Sequence, residues 1–134
     1  MSAGEIRVEI NSDQDIVIAR QKGRVMASEL GFSSGDATLI ATAISELARN
    51  IVSYARKGQI KLRGISGSSG VGILVVASDD GPGIIDIRQA LRDGFSTSGS
   101  LGLGLPGVRR LMDEFEITSQ PGKGTLVAVK KWRQ

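Results

Sequence analysis

An α+β fold, with one mixed and mostly antiparallel sheet carrying its helices on one face, is predicted by three observations on the 134-residue chain. Strand-like alternation comes in pairs joined by glycine-rich turns. Helical apolar spacing is gathered mainly in one block near the N-terminus. No repeat and no shift in composition divides the chain, so residues 1–134 read as a single domain.

The elements follow in order. Glu5 to Ile10 alternates polar and apolar residues and predicts a first strand. Asp13 or Asp15 offers an N-cap for a helix to about Leu30, stopped by Gly31, with Ile16, Ala19, Ala27 and Leu30 inward. A second helix is predicted from Ser34–Asp36 to about Arg56, ending at Gly58. Leu39, Ile40, Ala43, Ile44, Leu47, Ile51 and Tyr54 or Ala55 form its apolar stripe. Gln59–Ile65 and Val71–Ala77 pair as a hairpin around Gly67–Gly70. A short helical pattern covers Asp86 to Arg92, and Gly94 to Gly104 has no periodicity. A helix over about Leu105 to Glu114 precedes strands at Phe115–Ser119 and Thr125–Trp132, joined by Pro121-Gly122-Lys123-Gly124.

Composition excludes several classes of function. Residues are 40% hydrophobic and 23% charged, and no apolar run approaches the ~20 residues that span a bilayer. No membrane partner is expected, and a cytoplasmic location is the default reading. Cysteine is absent, which removes disulfides and thiolate metal sites. Histidine is absent too, which excludes a histidine-based hydrolase, a histidine-ligated metal centre and self-phosphorylation on histidine. The net charge of +3 is scattered apart from Lys130, Lys131 and Arg133, and aromatic residues make up 4%. No nucleic-acid partner is expected from that pattern.

Three motifs carry the chemistry. Glu46 and Asn50, in E-L-A-R-N, stand one helical turn apart on one face. A neutral amide oxygen there suits Mg²⁺, which takes a few protein oxygens together with water and phosphate. The carboxylate can accept a proton from an attacking hydroxyl or water. Asp79, at the end of an apolar strand, leads D-D-G-P-G and can accept a hydrogen bond from an exocyclic amine such as that of adenine. Gly81 and Gly83 let the backbone approach a flat ring. Gly99, Gly102 and Gly104 precede a helix whose amides and N-terminal partial charge suit phosphate oxygens. The pattern is neither a P-loop nor a dinucleotide fingerprint.

The order E-x-x-x-N, D-x-G-x-G, G-x-G before a helix, then Gly122-Lys123-Gly124-Thr125, resembles the Bergerat (GHKL) ATP-binding fold. Gyrase, Hsp90, the MutL mismatch-repair proteins and histidine kinases share that fold, and the resemblance covers nearly the whole chain. It implies a two-layer α/β sandwich that binds ATP and Mg²⁺. It implies Glu46 as the catalytic base, Asn50 as the Mg²⁺ ligand and Asp79 as the adenine reader, with Gly81, Gly83 and Ile84 beside it. Gly99, Leu101, Gly102, Leu103, Gly104 and Leu105 would meet the phosphates, and Thr125 would lie near Asp79. A lid over about Ile85 to Leu101 is implied, with Phe95-Ser96-Thr97-Ser98 as its F-[T/S]-T element.

At 134 residues the chain is not expected to carry the added domains of gyrase, Hsp90 or MutL, and it contains no histidine to serve as the phospho-acceptor of sensor kinases. It is most similar to the small bacterial serine/threonine kinases of the anti-sigma-factor type, and within them to the switch kinases of the stressosome. A-I-S-E-L-A-R-N-I, D-D-G-P-G-I-I-D-I-R and D-G-F-S-T-S-G-S-L-G-L-G-L-P-G-V-R-R-L carry that likeness. It implies STAS-domain stressosome proteins as substrates, phosphorylated on Ser or Thr, and a PP2C-type phosphatase regulator as a second partner. One departure stands out: sporulation-type relatives place an arginine just before the last glycine box, where this chain has Gly99-Ser100-Leu101. Mg²⁺ and the backbone, Arg49, Arg88, Lys123 or the substrate then have to supply the γ-phosphate charge. The alternatives are an anti-sigma factor or nucleotide-gated binding protein with little kinase activity and, third, an ATPase in which Glu46 faces water.

Overall fold

The computed structural model describes residues 4–83 and 104–134. The predicted pattern at Asp86 to Arg92 and the implied lid lie outside them. Five strands form one sheet among the described residues: β1 (Ile6–Ile10), β2 (Gly58–Gly67), β3 (Gly70–Asp79), β4 (Glu114–Gln120) and β5 (Gly124–Trp132). Their spatial order is β1-β2-β3-β5-β4. Every pairing is antiparallel, so the mixed sheet expected from the sequence is corrected to a wholly antiparallel one within the described residues.

Alternation along the strands sends Val8, Ile10, Ile60, Leu62, Ile73, Val75, Ala77, Val127 and Val129 into the core. Facing them are α1 (Asp13–Glu29), α2 (Ser34–Asn50) and α3 (Leu105–Leu111). Their buried residues include Ile16, Met26, Ile40, Ile44, Leu47, Leu105 and Val108, which join the strand residues in one cluster. The architecture is thus the two-layer sandwich that the resemblance implied.

Local chemistry sets the element ends. Ser12 rather than an aspartate caps α1. Asp15 acts from the third helical position instead, its carboxylate accepting the backbone N–H of Asn11 at 2.8 Å and of Ser12 at 3.1 Å. At the other end Gly31 sits at φ 92, while Gly31 N–H bonds Ser28 O and Phe32 N–H bonds Ala27 O, each at 3.0 Å. That is a Schellman closure, and glycine is needed for its left-handed residue. Ser33 caps α2 by accepting from Asp36 N–H at 3.1 Å.

The second helix does not run evenly to Arg56. Its α-helical part stops at Asn50, and Ile51–Ala55 form a π-helical turn ending at Arg56, which takes φ 74. Leu39 leaves the predicted stripe: it is 37% exposed, on the side that carries Thr42 and Glu46. The last helix ends at Leu111 rather than near Glu114, because Met112 is extended and buried. The β2–β3 strands run closer to their turn than predicted, pairing Gly67 with Gly70.

Candidate active site

The α2 face supplies Glu46 and Asn50, both half-buried and one turn apart. Arg49 Nη1 donates to Glu46 Oε1 at 3.0 Å, an exposed pair of small energetic weight. The other Glu46 oxygen, Oε2, faces Gly104: a Cβ at that glycine would collide with it. Gly104 is the left-handed N-cap of α3, at φ 66, and glycine there lets the start of α3 approach the Glu46 carboxylate without strain. A groove of about 450 Å³ between α1 and α2 opens beside Glu46, with Arg20, Arg24, Thr42 and Arg49 in its walls.

The π-helical turn carries the site from α2 to the second motif. A Cβ on Gly81 would lie 2.6 Å from Ala55 Cβ. That contact brings the D-D-G-P-G turn onto the end of the same helix. Asp79, the last residue of β3, accepts the backbone N–H of Gly81 at 2.9 Å and the N–H of Thr125. Burial raises its pKa above the ordinary 3.8; those two hydrogen bonds pull it back, and the neighbouring Asp80 charge adds to the rise.

The final hairpin closes the other side. Thr125 pairs directly with Asp79 in the β3–β5 register. A Cβ on Gly124 would strike the Asp79 carbonyl, and one on Gly83 the carbonyl of Gln120. Gly122 N–H bonds Pro82 O at 2.7 Å, which ties the two turns together.

The structure therefore brings Glu46 to Gly104, and Asp79 to Gly81 and Thr125, with Asn50 and the π-helical turn between the two groups. Leu105 is 1% exposed, so its side chain belongs to the core and only its backbone is left for a ligand. Ile84, Gly99, Leu101, Gly102 and Leu103 lie outside the described residues. Arg20, Arg24 and Ser119 were not singled out from the sequence: helix pairing and strand register bring them here, and no local motif announces either.

The residues present fit a nucleotide and a hard cation. The acceptor-rich end at Asp79 suits an amine. Among the described residues no group of three or more carboxylate, cysteine or histidine ligands is assembled. A divalent ion would lean on Asn50 and on the phosphates themselves, as Mg²⁺ commonly does.

Known proteins resemble the chain over most of its length. The family model for histidine kinase-, DNA gyrase B-, and HSP90-like ATPases matches residues 35–133. The chain is 55% identical over 125 residues to the serine/threonine-protein kinase RsbT of Bacillus subtilis (strain 168), covering 93% of this chain and 94% of RsbT. It is 32% identical over 127 residues to the anti-sigma F factor of Thermoanaerobacter sp. (strain X514), covering 92% and 89%. The catalytic domain of the histidine kinase ThkA superposes with a TM-score of 0.55 at 17% identity, covering 96% of each chain, a likeness of fold alone.

Proposed function

Because the chain belongs to the histidine kinase-, DNA gyrase B- and HSP90-like ATPase family, we propose that it is an ATP-dependent protein-serine/threonine kinase. It moves the γ-phosphate of ATP to a Ser or Thr hydroxyl of a STAS-domain stressosome protein. Once released, it activates a PP2C-type phosphatase regulator in a cytoplasmic stress-response cascade. The observation that carries the reading is the contact of Glu46 with the Gly104 backbone, at the mouth of a groove a partner can enter. The extended identity to a serine/threonine kinase supports it.

Glu46 accepts the proton of the attacking hydroxyl as its oxygen bonds to the γ-phosphorus and the bond to the β-phosphate oxygen breaks. Asp79 holds the adenine amine, and Thr125 stands beside it. Asn50 would hold Mg²⁺, which supplies charge neutralisation at the phosphates. Arg49 is the described cation nearest Glu46, whereas Lys123 lines the cavity at Asp79 and Thr125. On this reading Arg49 is the described candidate for the charge that the arginine supplies in sporulation-type relatives, and Arg88 lies outside the described residues. The partner approaches along α1 and α2, where Arg20, Arg24 and Arg49 favour an acidic surface around the acceptor residue.

The test is incubation with labelled ATP, Mg²⁺ and candidate STAS-domain proteins, with the label located by mass spectrometry. Transfer is expected from the unaltered chain and not from Glu46→Gln, which still binds nucleotide. Equal transfer by both would overturn the assignment of the base. The 32% identity to an anti-sigma F factor favours a second reading, a nucleotide-gated anti-sigma factor. Tight binding to a sigma factor without phosphate transfer would select it.

A further inference from the structure

We infer that Ser119 is a positioning residue which, through the hydroxyl of Thr125, makes the purine end of the site discriminate against 6-oxo bases. The inference rests on the reading of this site as an ATP pocket. Asp79, Thr125 and Ser119 stand in one cross-strand row over β3, β5 and β4, Thr125 pairing with both neighbours. All three are half-buried and line one cavity of about 320 Å³. Ser119 Oγ lies 3.1 Å from the Gly124 carbonyl oxygen and 2.8 Å from Thr125 Oγ1.

A carbonyl oxygen only accepts, and a serine hydroxyl has one proton to give. Both contacts are satisfied together only when Ser119 donates to Gly124 and Thr125 donates to Ser119. The proton of Thr125 is thereby committed away from the cavity, and its oxygen presents lone pairs alone. Its neighbour Asp79 as a carboxylate is also acceptor-only. Two acceptors side by side suit an exocyclic amine with its two N–H groups. A 6-oxo group brings lone pairs against lone pairs and is left unpaired, which is how a polar site rejects an analogue. Without Ser119, the Thr125 hydroxyl is released to turn and donate to that oxygen.

The experiment measures affinity for ATP and for inosine triphosphate in the unaltered chain, Ser119→Ala and Ser119→Thr, with melting midpoints recorded beside them. Ser119→Ala is expected to lower the ATP-to-inosine-triphosphate affinity ratio by about tenfold, one hydrogen bond's worth of discrimination, mainly through tighter inosine triphosphate binding. Ser119→Thr, which keeps the hydroxyl, is expected to keep the ratio. The inference is overturned if Ser119→Ala weakens both nucleotides equally, or if Ser119→Thr loses discrimination as far as Ser119→Ala does. An unaltered chain that binds neither nucleotide overturns the ATP reading itself, and this inference with it.

Discussion

At the scale of single residues, the site is governed by what burial does to Asp79. The folded chain holds its proton more tightly than the unfolded chain, because burial raises the carboxyl above 3.8. A raised carboxyl contributes stability that is complete below the unfolded pKa and is lost as pH rises through the folded value. The ionised group therefore works against folding, and on the proposed function nucleotide binding is what it gives in return. Asp79→Asn is expected to melt at or above the unaltered chain at pH 7, with the difference vanishing below about pH 4, while nucleotide affinity falls. Melting curves from pH 3 to 7 check this; a variant that melts clearly lower at pH 7 would refute it. Glu46, Asn50 and Asp79 are legible in the sequence as candidates because helical spacing and a strand-end turn are local facts. It withheld Ser119, Arg20 and Arg24, which reach the site only through strand register and helix pairing.

At the scale of elements, one contact sets how closely α1 and α2 approach. A Cβ on Gly23 would collide with Ile44 Cδ1, so the two helices meet closely at that glycine. Gly23→Ala gains about 1 kcal/mol of helix propensity and loses about 1–3 kcal/mol to overpacking, for a net loss. Ile44→Val removes the atom in the way, so the double variant is expected to be more stable than the sum of the two single losses allows. A double-mutant cycle by urea unfolding measures that coupling. A backbone feature follows the π-helical turn, where Arg56 takes φ 74 without being glycine. Arg56→Gly is expected to relieve about 1 kcal/mol of backbone strain, seen as a rise of roughly 3–5 °C in Tm. An unchanged or lower Tm would argue against strain there. That turn was illegible in the sequence: Ile51, Val52, Tyr54 and Ala55 continue an apolar run, and apolar spacing does not separate a π turn from a longer helix. Met112 misled in the same way, since a buried extended residue and a buried helical one look alike in one dimension.

At the scale of the whole molecule, alternation revealed that strands exist, whereas their neighbours had to be seen. The hairpins β2–β3 and β4–β5 were legible from their turns. The pairing of β3 with β5, which aligns Asp79 with Thr125, joins residues far apart in the chain. A ligand that spans these parts stabilises the whole fold by mass action, about 2.7 kcal/mol at a hundredfold excess over Kd. Mg-ATP is expected to raise the Tm of the unaltered chain and of Glu46→Gln, and to lose this effect in Asp79→Asn; equal shifts in all three would contradict the assigned roles. The strand order has one more implication, for biosynthesis. Among the described residues β4 joins the sheet only through β5, which is the later of the two to be made. A nascent chain halted before Gly124 holds Glu46, Asn50 and Asp79 yet has no Thr125 to pair with Asp79, so on the proposed function nucleotide recognition waits for translation of the last strand.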